Sequence, residues 1–111
     1  MTITVKVLIP AKIAEATQTT QYTALGVTTI IDKFTATNYS GTAATISVNL
    51  VTSADTAGNQ NLITKTKTLQ PSEVYTFPEL VGQVLSAGGF VSTIAGTATS
   101  INIRASGREV S

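Results

Sequence analysis

The chain has 111 residues, a formal net charge of +1, 42% hydrophobic residues and only 12% charged residues, against about 25% charged in an ordinary domain. It contains no cysteine and no histidine, which excludes disulfides and thiolate chemistry and removes the commonest general base and metal ligand. No basic cluster is present, so electrostatic binding of nucleic acid is not expected.

A chain of this length buries roughly two-thirds of its unfolded surface and can build one real core. Thr, Ser and Asn take the place of charges, and Thr is β-branched and suits strands. No apolar run approaches the ~20 residues of a membrane helix. The opening MTITVKVLIPAK has one Lys inside an alternating pattern rather than a charged leader before an apolar block, so no secretory signal is expected.

In chain order, Ile3, Val5, Val7 and Ile9 alternate with Thr4, Lys6 and Leu8, which predicts a strand ended by Pro10. Residues 10–16 suit either one or two helical turns with Pro first or an extended arm. Residues 1–17 thus form an N-terminal strand or arm, a geometry that also suits pairing with a neighbouring subunit. Gln18 to Ala24 is a short strand carrying Tyr22, and Gly26 marks a turn.

The stretch Thr28 to Thr52 reads as a β-hairpin. Its second arm sets Ala44, Ile46, Val48 and Leu50 on a dry face and Thr45, Ser47 and Asn49 on a wet one. Asn38, Tyr39, Ser40 and Gly41 form its turn. In the first arm Ile30, Phe34 and Ala36 share a side with Asp32, and an unpaired buried carboxylate is expensive. Either a bulge lets Asp32 reach solvent, or a cation pairs with it, Arg104 or Lys33 being the candidates.

Residues 53–61 form a polar tip loop. Leu62 to Leu69 is a strand whose Lys65 and Lys67 make a solvated edge. Pro71 and Ser72 turn the chain into the short strand Glu73 to Phe77. The apolar spacing of residues 78–85 fits about two helical turns, but Gly82 weakens it, and at most one short helical turn is expected there. Ala87 to Gly89 is a turn, Phe90 to Ala95 a strand and Gly96 to Ser100 a loop. Ile101, Ile103 and Ala105 define a last strand, with Ser106 to Ser111 as a tail. Seven or eight short strands at this spacing predict an all-β fold. The expected form is a single antiparallel β-sandwich over residues 1–111, Ig-like or jelly-roll-like.

The titratable groups suggest no chemistry. Glu73 and Glu79 are close in sequence, but the first follows a turn and the second suits a helix start. Gly88-Gly89 is a turn and not a phosphate loop. Asp55, Asn59 and Asn61 bring one carboxylate, too few for calcium. Asn38-Tyr39-Ser40 matches a glycosylation acceptor, a chance match without an export signal. No catalytic, metal or cofactor site is expected, and the chain reads as a non-enzyme. So few charges protect a surface poorly against association, which favours coverage by other protein.

Several stretches occur in a familiar order. They are Tyr22-Thr23-Ala24, Thr29 to Phe34 running to Asn38, Val48 to Thr52, Leu69-Gln70-Pro71-Ser72-Glu73, Leu80-Val81, Val84-Leu85, Ala87-Gly88-Gly89 and Ile103 to Val110. In these the chain resembles a family of small β-rich virion structural proteins of tailed bacteriophages. The resemblance implies a non-enzymatic building block present in many copies, made in the host bacterial cytoplasm and located in the virion. It carries over no binding residues.

The expected function is capsid decoration (cement), with a neck or tail component as the alternative. The implied partners are the major capsid protein or neck and tail proteins, with further copies of the chain, and neither nucleic acid nor membrane. A glycan- or receptor-binding module is the alternative of another class, and Tyr39 is its one good aromatic. The candidate contact tips are Asn38, Tyr39, Ser40, Gly41, Asp55 and Asn59.

Overall fold

The computed structural model describes residues 1–111. Nine strands follow one another: β1 (Ile3–Ile13), β2 (Thr19–Thr23), β3 (Thr28–Asn38), β4 (Ala44–Val51), β5 (Leu62–Leu69), β6 (Val74–Tyr75), β7 (Val84–Leu85), β8 (Phe90–Ala95) and β9 (Ile101–Val110). One sheet runs β1-β9-β3-β6, with β7 also on β3, and the other runs β2-β8-β4-β5. All pairs are antiparallel. The sheets face each other as a sandwich, and the side chains between them form one apolar cluster drawn from both. Phe34 and Phe77 meet edge to face at 4.8 Å in its middle. Burying each such side chain contributes about 1.5–3 kcal/mol.

The stretch Thr28 to Thr52 is not a hairpin. Its two arms belong to different sheets, β3 pairing with β6, β7 and β9, and β4 with β5 and β8. Residues 39–43 arch from one layer to the other, about 10 Å away. Nor is the polar face of β4 wet, since Ser47 and Asn49 are buried. The Asn49 amide donates to the Gly58 carbonyl and to Asn61 Oδ1, so the loop after β4 folds back over that face.

At Asp32 the ladder between β3 and β9 slips: Ile31 faces Gly107, but Lys33 faces Ser106. This bulge reverses the phase of β3. Thr29 and Ile31 point inward before it, Phe34 and Ala36 after it, and Asp32 stays exposed. The carboxylate also has a cation, but it is Arg108, the cross-strand partner of Ile30, rather than Arg104 or Lys33.

Three further expectations are corrected. Pro10 does not end β1, because β1 is an edge strand and the proline sits inside the register shift between Ile9 and Lys12, where no ladder donor is needed. Residues 106–110 are strand rather than tail. Gly107 is there because a Cβ would meet the Ile30 carbonyl oxygen and Leu8 Cδ1. Residues 78–85 contain no helix. Gly82, at φ +82°, takes the chain out of helical geometry. Leu80 and Leu85 are buried while Val81 and Val84 are exposed, a pattern of turns leading into the two-residue strand β7. The single helical turn is a 3₁₀ turn at Asn59–Asn61.

Candidate functional site

The six candidate contact residues do not form one surface. β4 separates them, with the arch before its first residue and the 53–61 loop after its last. Asn38 is fully buried. Its amide donates to the Thr42 and Leu69 carbonyls at 2.8 and 2.9 Å, and its Oδ1 accepts from Ser40 N and Ser40 Oγ. It shapes the arch and offers nothing to a partner or a glycan. Tyr39 is 49% exposed beside it, with Gly41 open to solvent and Ser40 half-buried. Asp55 and Asn59 are exposed, but the Asp55 carboxylate accepts from Thr56 N, Gln60 and Asn61 within its own loop. Nowhere do three acidic side chains gather.

Two tyrosine–carboxylate pairs connect strands. The Tyr22 hydroxyl donates to Glu109 Oε2 at 2.5 Å and accepts from the buried Thr29 hydroxyl at 2.6 Å. Lys6 reaches the same carboxylate at 3.2 Å. Burial first, and then the hydrogen bond to Glu109, push Tyr22 up to about 12. The hydrogen bond from Tyr22 holds Glu109 below the ordinary carboxylate range.

In the second pair Tyr75 donates to Glu79 Oε1 and Thr64 to Oε2. Tyr75 is raised to about 12 by its bond to Glu79 and then by burial. Burial works to raise Glu79, but the bonds from Thr64 and Tyr75, with Lys67 nearby, outweigh it and leave the group lowered. Phenols near 12 beside ionised carboxylates are struts between strands rather than acid–base pairs working near neutrality.

The sign of the pH dependence follows. A phenol raised on folding contributes stability that is complete below pH 10 and lost as pH climbs through 12. The Tyr22 share is on the order of 2 kcal/mol, from a rise of about two units in a residue 9% exposed. Denaturant titrations across this range should show the loss, and Tyr22→Phe should remove its share. At acid pH the lowered Glu79 and Glu109 withdraw stability as pH falls through their depressed values.

A cleft of about 280 Å³ opens where β4 leaves its sheet, lined by Leu50, Val51, Ile63, Leu85 and the Ser86–Gly89 turn. It contains no charged side chain that would orient a ligand.

The most exposed apolar structure is the first half of β1. Thr2 and Ser111 exchange both main-chain bonds, at 2.8 and 2.9 Å, and Thr4↔Glu109 and Lys6↔Gly107 continue that register. In an antiparallel ladder, alternate residues aim their N–H and C=O groups at opposite edges. Those of Ile3, Val5 and Val7 therefore point away from β9, where the sheet has no further strand. Their side chains lie on the outer face, 55%, 83% and 43% exposed.

The outer face beside it mixes apolar side chains with the Arg108–Asp32 ion pair. Val5 is level with Arg108, Ile30 and the exposed Val84, and Ile3 with Val110. Natural edges are guarded by proline, bulges and charged side chains, lysine above all, including ones that point inward. Pro10 and the register shifts guard the second half of β1. The first half has one such guard, Lys6, and its charge is taken up by Glu109 at 3.2 Å. Alternation from Ile3 to Ile9 predicts the strand but does not say which of its faces is covered. The local signal for the change is Val7-Leu8-Ile9, an unbroken apolar run where the strand shifts register and inward packing begins at Leu8.

Compared with protein-family models, curated proteins and solved structures, the chain has no match in any of the three.

Proposed function

We propose that this protein is a non-enzymatic structural subunit of a tailed-phage virion, a capsid-decoration protein whose copies assemble through the open edge of β1. The observation that carries this reading is the edge itself: main-chain groups of Ile3, Val5 and Val7 without partners, beneath side chains up to 83% exposed. An open apolar edge invites strand addition, and a chain with only 12% charged residues opposes it weakly. The sequence resemblance to small virion proteins supplies the particle.

Mass spectrometry and imaging of purified particles test the assignment. Copies spread over the shell, on the scale of the capsid subunits, support decoration. A copy number set by the symmetry of one vertex would move the protein to the neck or tail, and absence from particles would sink the proposal. Val5→Lys places a charge on the outer face of the edge. Incorporation should fall about tenfold or more, the effect of ~1.4 kcal/mol, while the melting temperature stays within a degree or two, because the side chain is exposed. Unchanged incorporation would mean that the contact lies elsewhere.

A further inference from the structure

The partner of this edge follows from its pattern, given the reading of the edge as an assembly contact. We infer that the strand that completes it is β1 of a second copy, paired antiparallel about a two-fold axis through Val5. The free main-chain groups belong to Ile3, Val5 and Val7, so only registers that bring these residues opposite one another make hydrogen bonds. Centring on Val5 sets Ile3 against Val7, Val5 against Val5 and Val7 against Ile3. Each pair exchanges two main-chain bonds, and the β-branched side chains of both copies meet on the outer face.

The inner face agrees. Lys6 then lies opposite Thr4 of the second copy, and the two Lys6 side chains sit on a diagonal about 7–8 Å apart, each already held by its own Glu109. A slip that set Val5 against Val7 would place Lys6 directly against Lys6. A slip the other way would exchange a β-branched pair for Met1. Pairing stops where it should, since the register shift after Val7 turns the strand inward. The product is a continuous sheet through both copies, β6-β3-β9-β1 meeting β1-β9-β3-β6. A contact of one strand length falls in the class of small, weak interfaces below about 1,200 Å², suited to subunits also held by something else.

The chain has no cysteine, so single replacements report the register directly. Val5→Cys places two thiols opposite one another with Cα atoms about 5.5 Å apart, within disulfide reach. Val7→Cys places them four residues out of step, about 13 Å apart along the strand, beyond it. Each variant is purified reduced, its fold is checked by circular dichroism, and it is incubated with oxidised glutathione as the electron acceptor. Val5→Cys should form covalent dimer about tenfold faster than Val7→Cys. Equal rates, or no dimer from Val5→Cys, would overturn the inference. Failure here with the chain present in particles means that the edge takes another protein's strand. Val5→Cys dimers from a chain absent from particles would leave the pairing standing and remove the virion role.

Discussion

Asn38→Ala should lower the unfolding free energy by about 3–4 kcal/mol, the largest loss expected from any polar replacement in this chain. A neutral hydrogen bond contributes only about 1 kcal/mol net, but a buried group left without its partner costs about 1–3 kcal/mol. Here the amide serves the Leu69 and Thr42 carbonyls while the carbonyl oxygen serves Ser40. Leu69 belongs to β5 and Asn38 to β3, so one side chain ties the two sheets where the chain crosses between them. Asn38→Asp should be no milder. It keeps the acceptor for Ser40 but turns a second acceptor toward two carbonyls. Urea denaturation measures both. A loss under about 1 kcal/mol for Asn38→Ala, within the range of one ordinary bond, would show that the arch holds without it.

Gly107→Ala should cost about 3 kcal/mol, at the upper end for forcing extra volume into a packed site. The added methyl meets the Ile30 carbonyl oxygen, part of the backbone, and Leu8 Cδ1 at 2.9 Å. Leu8 can turn aside, but the carbonyl can move only by parting β3 from β9 beside the Asp32 bulge. Chemical denaturation gives the magnitude, and hydrogen exchange gives the place. Protection should drop first at Ile30 and Lys33 and their β9 partners Arg108 and Ser106, while the Ile31 amide, held by the Gln83 carbonyl, keeps its bond. A variant as stable as the parent would mean that the bulge absorbs the methyl.

These two residues also mark what the sequence did and did not make legible. Strands were readable wherever alternation survived, as in β4, β8 and the first part of β9. The discord at Asp32 was readable too, because a carboxylate among Ile30, Phe34 and Ala36 had to break the period. Its consequence, Ile31 rather than Ile30 pointing inward, was not, because the slip depends on where β9 places Gly107. A hairpin and an arch have the same local sequence: two strands around Asn, Ser and Gly. Only the long-range pairing of each arm separates them, and Asn38 passes from turn residue to buried tie on that difference. The open edge was hidden for a similar reason. Ile3, Val5 and Val7 alternate as core residues do, and their exposure comes from the lack of any neighbour beyond β1.

The position of β9 between β1 and β3 bears on the order of events during synthesis. The strand that zips this sheet together, residues 101–110, is the last of the nine to leave the ribosome. The other sheet has all its strands once Ala95 has emerged, so it can assemble while β1 and β3 still wait for the strand that lies between them. Until then β1 is bare on both edges rather than one, and neighbouring nascent chains on a polysome carry the same segment. A translational pause before residue 101 would lengthen that exposure. The yield of soluble protein should therefore depend on codon choice near the end of the message more than near its beginning.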